Sequence, residues 1–364
     1  MTADPEEPDR LPGAPHPRET AVLFGQAAAE AAFLDAAATG RLHHAWLVTG
    51  PRGTGKATLA WRIARHLVAG GTAPTLDMRR DHPAFRQLAA LGSPQLFLLR
   101  RPWNEKTERL YTAITVDEVR ALQSYYHLTA ADGGRRVAIV DAADELTPSA
   151  ANALLKVLEE PPSGAVLLLV SHRPAALLPT IRSRCRELRL APLGADDLAR
   201  ALAAAGAPPA SGDAPVLAAL ADGSVGAAFR LATADGTARY AEIVDLLRSG
   251  PPVDRRRTLA LADAVGGRDS ARYELTLDLL QAALGRLALA ASGGAVTPTS
   301  ATEAALMTAL AATPAQGRLW AELVPRLVER TGHARAVNLD PAQVILDTFR
   351  QIDAAAAEAR ARAA

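Results

Sequence analysis

One stretch restricts the fold of this chain more than any other: HHAWLVTGPRGTGKATLAWRIARHLVA, residues 43–69. A buried apolar strand is expected over Ala45–Val48 and a helix over Thr58–Ala69, with a glycine loop, Gly50–Ala57, between them. The loop fits the pattern G-x-x-x-x-G-K-[ST] at every position but the last. Gly50, Gly53 and Gly55, with Thr54 between them, let backbone N–H groups curl around phosphate oxygens. The helix N-terminus adds its dipole, and Lys56 would reach the β- and γ-phosphates. The chain has three lysines among its 40 basic residues, so a lysine at this place is informative. The last position of the pattern normally carries a hydroxyl that ligates Mg²⁺. Here it is Ala57, and Thr58 cannot replace it, because one residue along a helix turns the side chain by about 100°. A glycine turn that binds nothing is the rival reading, and the missing hydroxyl weakens occupancy by nucleotide more than it weakens the fold.

Residues 135–190 carry a second unit of the same architecture. The apolar runs Val137–Val140 and Val166–Val170 read as buried strands of a parallel sheet. Between them a helix is expected, capped by Thr147, opened by Pro148 and stopped by Pro161–Pro162. Ligands of open α/β sheets sit off the carboxyl ends of the strands, where the first strand ends in Asp141 and the second in Ser171. Asp141 is an acid at the end of an apolar strand, the place that holds Mg²⁺ through water, and Ser171 can sense a γ-phosphate. Both also suit a purely structural part in capping loops. A glutamate that polarises the attacking water would stand directly after Asp141, but Ala142 is there, and Glu145 lies too far on.

The chain, 364 residues long with net charge +1, is expected to form two or three domains without a global field for nucleic acid. The lone Cys185 excludes a disulfide framework and a cysteine zinc site. The histidines His43, His44, His82, His127 and His172 have no partners at ligand spacing, so no metal site is expected. No apolar run is long enough to span a membrane and no signal peptide is seen, which points to the cytoplasm. Residues 1–20 read as a flexible segment and 70–113 as the least regular part. A small helical module follows over 191–235. Helices alone are expected over 236–364, with Leu277, Leu280 and Leu284 as one buried stripe and an Ala-rich end that frays.

The segments NALLKVLEEPP (Asn152–Pro162), IRSRC (Ile181–Cys185), FGQ (Phe24–Gln26), LHHAWLVTGPRGTGK (Leu42–Lys56) and ITVDEVR (Ile114–Arg120) together resemble the bacterial clamp-loader AAA+ subunits. The resemblance covers residues 22–233. It implies an α/β AAA+ P-loop domain with a parallel sheet (21–190), a small helical lid domain (191–235) and an all-α C-terminal collar domain (236–364). The family's motor subunits, gamma/tau, keep a complete loop, an Asp-Glu pair and four zinc cysteines. Its delta-prime kind tolerates broken ATPase motifs and keeps the arginine of its SRC motif. With Ala57 and Ala142 in place, this sequence resembles the delta-prime kind, although zinc cysteines are usual even there, so residues 70–113 must fold without zinc.

The resemblance implies a member of a five-subunit ring, with gamma/tau and delta partners, that loads the sliding clamp onto primed DNA. Its own hydrolysis would be negligible. Arg184 would act in trans on ATP held by a neighbouring subunit, and a salt bridge at the domain edge is the plainer alternative for it. The loop leaves room for ATP or ADP, and Mg²⁺ is an open question. An active motor and a nucleotide-free scaffold stand as rival readings.

Overall fold

The structure, a computed structural model, describes residues 7–40, 42–127, 135–265 and 270–361. The chain divides into two compact units. The first comprises Met1–Pro208 and Asp222–Phe229, the second Pro209–Ala221 and Arg230–Ala364.

In chain order the first unit runs through α1 (Ala27–Ala38), β1 (Ala45–Thr49), α2 (Lys56–Val68), α3 (Pro83–Ala89), β2 (Leu96–Arg100), β3 (Trp103–Asn104), β4 (Arg109–Leu110) and α4 (Val116–His127). It continues with β5 (Arg136–Asp141), α5 (Pro148–Glu159), β6 (Ala165–Val170), α6 (Pro179–Arg182), β7 (Arg186–Arg189) and α7 (Ala195–Ala204). Five parallel strands form one sheet in the order β2-β5-β6-β1-β7. Alternate residues of each strand feed opposite faces. Val137, Ile139, Val166, Leu168 and Val170 pack with Phe33 of α1 and Leu59 and Ile63 of α2. Ala138, Val140, Leu167 and Leu169 pack with Val119 and Leu122 of α4 and Leu154 and Leu158 of α5. Both faces are therefore covered, as a parallel sheet requires.

Two expectations fail in this unit. Residues 7–20 are fastened to it. Arg18 and Arg100 both pair with Glu7, Arg100 also pairs with Asp9, and His16 is fully buried. Arg65 of α2 donates to the carbonyls of Arg18 (3.0 Å) and Thr20 (2.8 Å). The Pro-rich, charged composition suggests a tail, but its charges have buried partners far along the chain. Residues 70–113 are likewise more regular than expected. The run Leu96–Leu99 is the edge strand of the main sheet, in register with Val137–Val140. Pro83 opens α3 with His82 as its cap (Ala84 N–H to Nδ1, 3.1 Å).

This region is held by arginines of α2. Buried Arg62 bridges Glu30 (2.7 Å) and Asp77 (2.7 Å), and Arg65 stacks over the Phe85 ring at 4.4 Å. Among the described residues no group of three or more His, Cys, Asp or Glu is placed to hold a metal.

The stretch expected as a small helical module, 191–235, is shared between the two units. Residues 191–208 and 222–229 belong to the first unit, and 209–221 and the chain from 230 to the second. After α8 (Ala214–Ala221) and α9 (Val225–Thr233), the rest is helical: α10 (Gly236–Ser249), α11 (Arg255–Val265), α12 (Ser270–Ala291), α13 (Ala301–Leu310), α14 (Pro314–Ala336) and α15 (Pro341–Ala361). Leu277, Leu280 and Leu284 are buried as a stripe of α12. The Ala-rich end, expected to fray, stays helical through Ala361. Ala355, Ala356 and Ala359 are buried, and Gln316 Nε2 donates to the Ala359 carbonyl at 2.9 Å. Alanines suffice there because α14 and α15 pack closely enough to bury a methyl group. Among the described residues no helix is long and apolar enough to cross a membrane.

Candidate functional site

The loop after β1 is a cradle that only glycines can build. Gly53 has φ +79°, and a Cβ there would lie 2.2 Å from Ser224 Oγ. Gly50 has φ +137°, and its Cβ would lie 2.5 Å from the Leu190 carbonyl. Both the backbone conformation and the close approach therefore exclude side chains. The carbonyl of Gly53 accepts the Val225 N–H at 2.9 Å, so the segment Gly223–Gly226 braces the loop. Gly55, also left-handed at φ +94°, is the N-cap of α2. The helix thus starts at Lys56, two residues before the expected Thr58. Ala57 and Thr58 lie in its first turn.

Lys56 is almost fully buried. Its Nζ donates to the carbonyls of Gly50 (2.9 Å) and Pro51 (2.5 Å). Burial pulls its pKa down to about 8, against the attraction of Asp141 and Asp144. Thr54 Oγ1 donates to the Pro51 carbonyl at 2.9 Å.

β1 and β6 are neighbours in the sheet, so Ser171, whose N–H donates to Val48 O at 3.0 Å, stands beside the loop. β5 lies next to β6 and presents Asp141 at its carboxyl end. Burial, followed by the charges of Asp9 and Glu145, pushes the Asp141 carboxyl up to about 7, with Lys56 pulling the other way. Ala142, which is buried, offers no carboxylate. Glu145 pairs with Arg101 at 3.0 Å.

The expected residues Gly50, Gly53, Thr54, Gly55, Lys56, Ala57, Thr58, Asp141 and Ser171 thus converge at the carboxyl ends of β1, β5 and β6. Arg184 does not join them. It pairs with Glu159 at 2.9 Å, and Glu159 is the last residue of α5.

Two residues escaped the sequence reading. Asp144 has a buried carboxylate that accepts the His172 N–H at 2.8 Å. Burial opposes its ionisation, but the His172 N–H together with the neighbouring Ser171 and its own backbone outweighs this, and its pKa lies below the usual carboxylate range. Gln26 is buried, and its amide group makes a reciprocal pair with the Ala191 backbone (2.8 and 3.2 Å). FGQ was legible as a motif, but nothing in the sequence said what its glutamine holds. Asp144 had no signal beyond lying three residues after Asp141.

The cradle suits a phosphate: fixed glycines, a helix N-terminus and a lysine amine. It suits a metal ion less well, because Ala57 presents a methyl group where a hydroxyl ligand would stand.

Residues 25–194 match the family model described as DNA polymerase III, delta subunit. That match takes in somewhat less than half of the chain, and over it the chain is similar to that family. The DNA polymerase III subunit delta' of Pseudomonas aeruginosa is 43% identical over 142 residues, covering 39% of this chain and 41% of that protein. The DNA polymerase III subunit gamma/tau of Mycobacterium tuberculosis is 32% identical over 170 residues, covering 46% of this chain and 28% of that protein. The chain therefore spans about two fifths of the delta' relative's length. Among solved structures, the RuvB Holliday junction branch migration motor of Thermotoga maritima matches at 17% identity. That match covers 84% of this chain and 92% of that one, with a TM-score of 0.41, too loose a fit to carry weight. Over the matched segments the identity to this delta' subunit is higher than that to this gamma/tau subunit.

Proposed function

We propose that this chain is the delta-prime-type subunit of a bacterial clamp loader, a cytoplasmic ring with gamma/tau and delta partners that places the sliding clamp on primed DNA. The observation that carries this reading is a pairing of losses with a retention. Ala57 and Ala142 stand at the two positions a hydrolysing site needs, while Arg184 is kept and partly exposed.

The loop N–H groups and Lys56 would hold the phosphates of ATP or ADP, which supplies the negative charge the cradle is built for. Hydrolysis would stall, because no carboxylate follows Asp141 to activate water. Burial raises the pKa of Asp141 to about 7, which favours its protonated form and weakens it as a partner for Mg²⁺. Arg184 would instead present its permanently charged, planar guanidinium to a triphosphate bound by the adjacent subunit. Helices α10–α15 would form the collar that holds the ring. Contact with DNA would run through backbone phosphates and so be independent of sequence.

The test is a reconstituted loader carrying Arg184→Ala. DNA-stimulated ATP turnover of the complex is expected to fall by roughly 10³-fold or more, the range seen for such arginines. Unchanged turnover would sink the assignment. Turnover by the isolated chain that disappears in Lys56→Ala would favour an active motor instead.

A further inference from the structure

Residues 7–20 lie at the same end of the sheet as the phosphate loop, and charge holds them there. Arg100 ends β2 and stands directly opposite Asp141 of β5 in the sheet register. Its guanidinium pairs with Asp9 and with Glu7 (3.1 Å). Glu7 also takes Arg18, and Asp9 Oδ2 lies 3.3 Å from His16 Nε2. The Asp9 carboxylate is 1% exposed and acts on Asp141 more strongly than any other charged side chain. His16 packs edge-on against Trp61 of α2 at 6.3 Å. That is one helical turn nearer the loop than Arg65, which holds the carbonyls of Arg18 and Thr20. At Gly13 an added Cβ would lie 3.8 Å from the Phe229 ring of α9, the helix whose Val225 N–H bonds to Gly53 O of the loop. The segment thus reaches from the carboxyl ends of β2 and β5 to α9 and back along α2.

Among residues 7–20 no apolar side chain is buried. Asp9 Oδ2, His16 Nε2 and Arg18 Nε are buried without a hydrogen-bond partner, which costs the docked state free energy. A segment held by ion pairs, with no apolar anchor and with unsatisfied polar atoms, opens more readily than the helices beside it. It also sets the Glu7 and Asp9 carboxylates at the Asp141 end of the site, where a triphosphate brings negative charge of its own. We propose that residues 7–20 form a charge-held strap that shuts this end of the site, and that a nucleoside triphosphate must lift it to bind. The inference rests on the reading of Gly50–Ala57 as a phosphate-binding loop. Release also frees Arg100, which adds a cation at the same end of the sheet. A diphosphate lacks the phosphate that meets the strap and leaves it docked.

The test uses the full chain with ATP or ADP and Mg²⁺. Wild type is compared with the double variant Glu7→Gln/Asp9→Asn, which keeps the shape of both side chains and removes their charge. A site whose open form is a minor population binds more weakly by that fraction. Isothermal titration is expected to show ATP bound roughly tenfold more tightly by the variant, as for a strap closed about nine-tenths of the time, and ADP bound within about twofold of wild type. ATP binding that is seen only in the variant is the extreme form of the same result. Trypsin reports on the strap itself, because Arg18 is 14% exposed and its carbonyl accepts from Arg65. Cleavage after Arg18 is expected to be slow in wild type, faster with ATP but not with ADP, and fast in the variant without nucleotide. Unchanged ATP affinity in the variant, equal gains for both nucleotides, or tighter ATP binding with Arg18 still protected would overturn the strap and leave the loop reading intact. A folded variant that binds neither nucleotide would overturn both. Melting curves establish that the variant is folded. The wild-type digestion needs no variant, and ATP that binds without exposing Arg18 overturns the strap by itself.

Discussion

Arg184 Nη2 lies 2.9 Å from Glu159 Oε1, and its Nη1 donates to the Thr180 carbonyl at 3.1 Å. Glu159 ends the 12-residue helix α5, so this pair stands roughly 18 Å along the helix from its start. The guanidinium therefore belongs to the end of α5 remote from Asp141. The two side chains are 36% and 48% exposed. A pair this open holds its arginine by about 0–1 kcal/mol, so leaving Glu159 for a phosphate costs little. Glu159→Gln is expected to change unfolding free energy by under about 1 kcal/mol and to keep turnover of the reconstituted complex at or above the wild-type level. Denaturant melts and ATPase assays on the same preparations check both. A turnover loss as large as that of Arg184→Ala would mean that Glu159 positions the arginine for its work.

Gly53 is expected to tolerate no side chain. With φ +79° and Ser224 Oγ 2.2 Å from an added Cβ, Gly53→Ala combines backbone strain of about 1–2 kcal/mol with a clash that pushes the Val225 N–H off the Gly53 carbonyl. Ser224→Gly in the same chain removes the hydroxyl that clashes and is expected to restore part of the loss. The Gly226 backbone, 3.0 Å from the same Cβ, keeps the restoration incomplete. Urea unfolding of the two single variants and the double variant measures this, and a double variant no better than Gly53→Ala would contradict it.

The pH dependence of stability should carry the mark of Asp141. Its folded pKa, near 7, stands above the ordinary 3.8 because of burial and the neighbouring acids. Between those values the folded chain keeps a proton that the unfolded chain has released, so acid favours the fold. The contribution is whole below about pH 4 and fades as pH rises to 7. Asp141→Asn removes the dependence. The variant is expected to match wild type near pH 4 and to exceed it at pH 8 by on the order of 2–4 kcal/mol. Urea melts at both pH values, without nucleotide, test it. A variant less stable than wild type at pH 8 would show that the charge on Lys56 needs Asp141 more than burial penalises it.

The loop and its flanks were readable because strand, glycines and lysine are contiguous, and each demands its neighbour. The same holds for Thr147 and Pro148 at the start of α5 and for the leucine stripe of α12. What sequence did not show are partnerships over long separations. Leu96–Leu99 looks like an apolar accident among arginines until β5 lies beside it. Glu7 and Asp9 read as tail charge until Arg100 and His16 face them. Asp144 and His172 are 28 residues apart in the chain and meet only because β5 and β6 pair in register. Local periodicity cannot report any of these.

Glu303 makes the same point in the second unit and gives the largest expected loss. Its side chain is 2% exposed. Its two oxygens accept from Tyr240 Oη (2.6 Å), Arg286 Nε (2.7 Å) and Nη2 (3.1 Å), and from the Thr299 N–H (2.6 Å) and Oγ1 (2.7 Å). Arg286 in turn donates to the carbonyls of Thr297 (2.7 Å) and Ala219 (3.3 Å). One carboxylate therefore ties α10, α12 and α13 together, and through Arg286 it reaches α8. Burial disfavours its charge, but the donors outweigh burial and hold its pKa below the usual range. Its stabilising effect is consequently present above the ordinary glutamate pKa and is lost as pH falls through its own. Glu303→Ala leaves Arg286 charged and buried with no counter-charge, and is expected to cost about 3–5 kcal/mol at pH 7. Replacing the arginine as well, by Arg286→Met, is expected to recover part of that cost, because the penalty comes from the stranded cation more than from the lost bonds. Unfolding of the single and double variants decides it. If Arg286→Met in the Glu303→Ala background brings no recovery, the loss lies in the hydrogen bonds to Tyr240 and Thr299 rather than in the buried charge.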